Sequence, residues 1–282
     1  MRTTKRASIV AALVFIAVLL FTGCDKVGDV KSVLKSDADI LESAYFYDED
    51  TGAYRSVVIV QNNTANPIEY GYFFARAFDE NGERINSVKT AEGDFALMGT
   101  CYWLSKGEKN AVIFTNDGIV GDDSFDGMNS ILDHYTAVPA TLEWEMESGS
   151  RKDPNLLPHG LSLTGIEPYQ SDVWFEGDYM EYMATIHNDS DIDYTFDDNN
   201  NEFVGGGKRI EFVIAAVYRD AEGKICDMQE IKCTGLGGVP DISAGSDTAI
   251  YVMADHTVKD ESLTPEYYIS IINLTDEAGE LN

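Results

Sequence analysis

Cysteine is scarce, with 4 in 282 residues. Cys24 closes an N-terminal apolar run and stands apart from Cys101, Cys226 and Cys233. An odd remainder excludes a fully paired disulfide framework. Cys226 and Cys233 are seven residues apart; on one extended strand that is roughly 23 Å, far beyond a disulfide's reach, so pairing them requires a turn between. No CxxC occurs, and no Cys/His cluster has zinc-ligand spacing. His134, His159, His187 and His256 occur singly, and GxSxG, HExxH and P-loop patterns are absent. The glycine runs GLGG and VGGG stand alone and read as loops. With 49 acidic residues, neighbouring carboxylates arise by composition alone and carry no message about acid/base chemistry. The chain is therefore read as a non-enzyme. Basic residues are also few, 20 against 49 acidic, for a net charge of −29. Such a chain repels nucleic acid, which is excluded as a partner.

Long hydrophobic runs are missing too. The longest spans Ala7 to Phe21, broken only by Ser8. As a helix it covers about 22 Å, short of the roughly 30 Å hydrocarbon core. Arg2, Lys5 and Arg6 precede it and a small-residue site follows, the layout of a secretory signal peptide. Phe21-Thr22-Gly23-Cys24 resembles the lipobox of bacterial lipoproteins, with Phe21 where that motif usually has leucine. The resemblance implies cleavage after residue 23 and diacylation of Cys24, and two acyl chains give stable anchoring where one does not. Without residues 1–23 the basic count falls to 17 against 49, a net charge of −32. The expected address is the outer face of the bacterial cytoplasmic membrane or cell envelope, with the membrane as partner through lipidated Cys24. The acidity suits solubility on a crowded surface better than it identifies a cationic ligand.

The rest of the chain reads as one unit written twice. YRSVVIVQNNTANPIEY (Tyr54–Tyr70) and YMEYMATIHNDSDIDY (Tyr179–Tyr194) both run an apolar strand into Asn-Asx-Ser/Thr, so Asn62 matches Asn188. YFFARAFDENGERI (Tyr72–Ile85) and EFVIAAVYRDAEGKI (Glu211–Ile225) both end an apolar strand in an Asp-x-x-Gly turn. VPATLEWEM (Val138–Met146) matches TPEYYISII (Thr264–Ile272). Each copy carries an insert: NDGIVGDDSFDGMNSILDHY in the first, and DDNNNEFVGGG in the second, the latter read as a turn-rich loop.

Leu142, Trp144 and Met146 alternate with polar neighbours, the period of a half-buried strand. Strands separated by turns predict an all-β fold of two tandem β-sandwiches. Only KVGDVKSVLKS and SFDGMNSILDHY read as helical. The expected boundaries are a signal peptide over 1–23, a lipidated tether over 24–38, sandwiches over 39–149 and 161–282, and a linker over 150–160. An aromatic strand into V-x-N, then F-x-x-x-A-[FY]-D-x-x-G, is similar to the FxLYD-type immunoglobulin-like domains of bacterial surface lipoproteins. Val60-Gln61-Asn62 with Phe74–Gly82, and Ile186-His187-Asn188 with Ile214–Gly223, carry the similarity. It implies an immunoglobulin-like fold and a surface location, and no catalytic residues.

Three candidate sites follow. Cys24 is the lipidation site. Asp197, Asn199 and Asn201 are the best oxygen ligands for a structural calcium, although the surrounding loop does not complete an EF-hand register. Trp103 and Trp174 are candidate stacking faces for a glycan or peptide. The expected function is binding or scaffolding of a protein, peptide or glycan by a monomer at the cell surface. The alternatives are a carbohydrate- or peptide-binding accessory protein using exposed aromatics, and a hydrolase inhibitor or degenerate enzyme. Asn62 and Asn188, although in Asn-x-Ser/Thr sequons, are better explained as turn residues.

Overall fold

The computed structural model describes residues 26–27, 29–34, 38–47, 54–85, 97–115, 140–148, 156–169, 180–233, 238–254, 258 and 262–276. Among them every regular element is a strand: β1 (Lys26–Val27), β2 (Asp29–Leu34), β3 (Asp39–Tyr47), β4 (Tyr54–Gln61), β5 (Ile68–Phe78), β6 (Arg84–Ile85), β7 (Leu97–Leu104), β8 (Lys109–Thr115) and β9 (Thr141–Ser148) in the first half. The second half holds β10 (Leu161–Pro168), β11 (Met180–Asn188), β12 (Thr195–Asp197), β13 (Glu202–Gly205), β14 (Lys208–Arg219), β15 (Ile225–Cys233), β16 (Asp247–Ala254) and β17 (Thr264–Asp276).

Two sheets stand in a sandwich-like arrangement: a four-stranded sheet in the order β1-β3-β4-β8, and a long sheet in the order β10-β11-β16-β15-β14-β17-β7-β5-β9-β2 that runs through both halves. Within the long sheet, β15 meets β16 where Ile231–Cys233 pairs with Val252–Ala254. The halves join in it where Ile271 of β17 pairs with Tyr102 of β7.

The repeated motifs have repeated geometry. Asn62 and Asn188 are both fully buried. Asn62 Nδ2 donates to Leu104 O and Asn66 O, each at 2.9 Å; Asn188 Nδ2 donates to Ile242 O at 3.2 Å and Ile192 O at 2.7 Å. The Oδ1 of each accepts the backbone N–H and hydroxyl of the residue two on, Thr64 or Ser190. Their backbones bond Gly107 and Glu108 in one half and Gly245 and Ser246 in the other. Asparagine has two donors and an acceptor on one planar group, so it alone among small side chains closes this turn completely. The Asp-x-x-Gly turns match as well. Asp79 Oδ1 accepts from Asn81 and Glu83 N–H, and Asp220 Oδ1 from Glu222 and Lys224 N–H. Gly82 and Gly223 sit at φ of 77° and 82°, which a residue with a Cβ resists.

The structure departs from the sequence reading at two described places. KVGDVKSVLKS contributes no helix: Lys26–Val27 pairs with Phe46–Tyr47, and Asp29–Leu34 lies parallel to Thr141–Met146. Its apolar spacing suits a helix, but pairing with a distant strand decides the local conformation. The expected loop DDNNNEFVGGG is a pair of hairpins. β12 pairs with β13, and β13 turns through Gly206-Gly207 onto β14. Phe203 anchors this ribbon by packing against Phe196 and stacking on Phe212. The second expected helix, SFDGMNSILDHY, lies outside the described residues.

The cores explain why two strands lack polar alternation. One cluster fills the second half, with Phe212, Ile214, Ala216 and Tyr218 from β14. A separate cluster joins the halves. It packs Ala44, Phe46, Val57, Ile59 and Ala111 of the first against Ala215, Val217, Ile225, Met228 and Tyr268 of the second. Successive side chains of a strand point to opposite faces, so β14 is covered on both sides. The same holds for β4, where Val57 to Val60 are all fully buried. Fully burying such a side chain stabilises by about 1.5–3 kcal/mol. Ion pairs at the rim, such as Lys109–Glu266 at 3.3 Å with both partners over a third exposed, contribute about 0–1 kcal/mol. Apolar packing holds the halves together.

Candidate functional site at the junction of the halves

A buried polar cluster lies where the turn Ser105–Glu108 of the first half meets residues 156–161 of the second. Trp103, the last residue but one of β7, has φ of 49°, a left-handed conformation that is rare for a bulky residue. The kink turns its indole out of its own sandwich and into the core of the other half, where it is 2 % exposed. Its Nε1–H donates to Leu157 O at 2.6 Å. Its ring meets those of His159 and Tyr194 edge-on, at 6.0 Å and 6.4 Å between centroids.

His159 is 4 % exposed. Its Nδ1 accepts the Leu161 N–H at 3.0 Å, which leaves the ring hydrogen to Nε2. That Nε2–H points between both carboxylate oxygens of Glu108, at 3.1 Å and 3.2 Å. Glu108 Oε2 also accepts Ser105 N–H at 2.6 Å, and its Oε1 accepts from Asn110 Nδ2 at 3.2 Å. Asn110 Nδ2 crosses to Ile269 O at 2.8 Å, and Tyr194 Oη donates to His159 O at 2.8 Å. Burial pushes the Tyr194 hydroxyl well above the usual tyrosine range. Gly160 lets the strap pass: at φ of 72°, an added Cβ would come within 2.6 Å of Ser190.

Although Ser105, His159 and Glu108 are the residue types of a hydrolytic relay, both imidazole nitrogens are engaged, one by a backbone donor and one by the carboxylate. Neither is open to take a proton from a hydroxyl. The cluster fastens one half to the other.

The other candidates fall elsewhere. Trp103, expected to offer a stacking face, is placed in the core, its ring turned inward by the left-handed kink and held by the Leu157 carbonyl. Trp174 and Cys24 lie outside the described residues. Asp197 sits in the turn between β12 and β13, where its Oδ1 accepts Asn199 N–H at 3.1 Å and its Oδ2 accepts from Asn200 Nδ2 at 2.6 Å. These contacts, the Asn200 amide foremost, hold its carboxyl below the usual range. Asn201 adopts φ of 53°, which asparagine tolerates. Among the described residues no group of three His, Cys, Asp or Glu converges as a metal site. Cys101 is buried and its thiol is pushed far up by burial, next by Glu108. Cys226 and Cys233 lie near opposite ends of the extended strand β15, a spacing no disulfide spans. His187 Nδ1 meets Asp247 Oδ1 at 3.0 Å on the outer sheet face. Tyr169 and Tyr251 also meet there, but at 75° between planes, so they form no flat platform.

Sequence reasoning missed His159 and Glu108. Both are single residues in turn-like text, and only the fold brings them together across 51 positions.

No protein-family model matches the chain, and no curated protein matches it. Two solved structures resemble it in part at 9 % identity each. A red sea bream transglutaminase covers 73 % of this chain and 25 % of its own, with a TM-score of 0.17. A β-glucuronidase from glycoside hydrolase family 2 covers 83 % of this chain and 23 % of its own, with a TM-score of 0.18. The chain thus spans about a quarter of the length of each. Likeness this weak carries no argument about activity.

Proposed function

We propose that the chain is a lipid-anchored bacterial surface protein, built as two tandem immunoglobulin-like sandwiches over 39–149 and 161–282, with a binding or scaffolding role and no catalysis. The observation that carries this reading is the recurrence of one asparagine-closed turn in both halves, each with its donors and acceptor fully occupied. A duplicated β-unit whose turns are each closed by a fully buried asparagine is suited to presenting a surface at fixed geometry. The attachment rests on the lipobox-like Phe21–Cys24. Mass spectrometry of the mature protein tests it: the first residue is expected to be acylated Cys24, and Cys24→Ala is expected to leave the membrane fraction. A mature chain beginning elsewhere, or a Cys24→Ala protein still in the membrane fraction, contradicts the anchor.

A further inference from the structure

The pairing of Lys26–Val27 into the first half determines how an anchored molecule stands. On the lipid-anchor reading, on which this inference rests, one residue separates acylated Cys24 from β1. Two residues of chain span at most about 7 Å. Since β1 is hydrogen-bonded to Phe46–Tyr47 at the end of β3, no loose tether intervenes between lipid and fold.

The end of the first half that receives β1 is set by strand register. Tyr47 pairs with Tyr54 and Arg55 with Thr115. In the long sheet, Asp29 pairs with Thr141, and Thr141 with Phe78, one residue before the Asp79–Gly82 turn. The opposite end gathers Asp39, Gln61 and Lys109, then the turn Ser105–Glu108, and beyond it the junction with the second half. From Arg55 to Gln61 is six strand steps, about 20 Å.

We infer that the anchored protein stands end-on, with the Asp79–Gly82 turn of the first half against the bilayer and the Ser105–Glu108 junction held about a strand length above it. The surface that meets the membrane is the loop end of one sandwich, and its partner is the headgroup layer of the membrane holding the acyl chains. That turn exposes Glu80, Asn81 and Glu83 with Arg84, so the contact it makes with lipid is polar.

The test uses the full acylated protein in phosphatidylcholine vesicles that carry a headgroup-linked energy acceptor. A donor dye is placed through an unnatural side chain at Asn81 or at Lys106, both exposed turn positions, so the native cysteines stay intact. Energy transfer is expected to be strong at 81 and weak at 106. A Gly-Ser spacer of twelve residues between Asp25 and Lys26, with an r.m.s. reach of about 20 Å, is expected to erase most of that difference. Equal transfer at the two sites without the spacer, or stronger transfer at 106, overturns the end-on stance while leaving the anchor intact. An unchanged difference with the spacer overturns the role of β1. A protein that carries no acyl group and fails to float with vesicles overturns the anchor reading itself, and the stance with it.

Discussion

At the scale of single residues, the chain invests its buried polar groups in closing backbone. Asn188→Ala strips four hydrogen bonds, and although Ile242 O keeps the Tyr194 N–H, Ile192 O and Ser190 N–H lose the asparagine, which costs about 3 kcal/mol. Asn188→Asp keeps the acceptor but loses both donors, so it is expected to rescue only part of the loss. Urea denaturation of the two variants measures both effects; an Asn188→Ala midpoint equal to that of the parent contradicts the assigned role. Tyrosines supply a pH signature. Burial pushes the Tyr45 hydroxyl up to about 12, and that of Tyr194 higher still. In the unfolded chain both ionise near 10. Because their folded values are raised, the stability they contribute is complete below about pH 10 and is lost as pH climbs through the folded values. Denaturation midpoints should fall from about pH 10 upward, and less steeply in Tyr45→Phe. A slope for Tyr45→Phe as steep as the parent's removes Tyr45 from the account.

At the scale of elements, β14 is the test case. Ala215 and Ala216 are both fully buried on opposite faces, one toward the first half and one toward its own sandwich. A strand with one solvated face would accept a larger side chain there. Ala215→Leu and Ala216→Leu are each expected to cost about 1–3 kcal/mol through overpacking, read from thermal or chemical midpoints. A neutral Ala215→Leu means the face between the halves is open. The legibility of such elements in sequence was uneven. The Asn62 and Asn188 turns and the two Asp-x-x-Gly turns were readable because short-range chemistry dictates them. The unbroken runs Val57–Val60 and Phe212–Tyr218 also carried the mark of burial on both faces, but apolar runs do not say what covers the second face. Gly206-Gly207 between Val204 and Lys208 was a hairpin signal inside text otherwise dominated by Asp and Asn. The left-handed turn at Trp103 left no trace at all, since nothing local favours it: the Leu157 carbonyl and the rings of His159 and Tyr194 impose it from 50 or more positions away.

At the scale of the whole molecule, sequence periodicity suggested two sandwiches joined by a linker over 150–160. The described part of that segment is pinned at two points, with Leu156 and His159 5 % and 4 % exposed on either side of the exposed Leu157 and Pro158. With an apolar cluster and a buried polar cluster both crossing the junction, the halves are expected to unfold together. Tryptophan fluorescence and far-ultraviolet circular dichroism should report one coincident transition in urea. Two separated transitions would show independent halves.

The double covering of β14 also bears on what happens when the gene is cut. A chain ending near residue 150 would display Val57, Ile59 and Phe46 to water, and one starting near 156 would display Ala215, Val217 and Met228. Each fragment would carry the sticky half of a closed seam, and contiguous bare apolar surface drives association. Expressed apart, the halves should self-associate or precipitate; mixed together, they should find each other and stay in solution. The seam that joins them is thus also their protection against aggregation, and it works only while both halves are made.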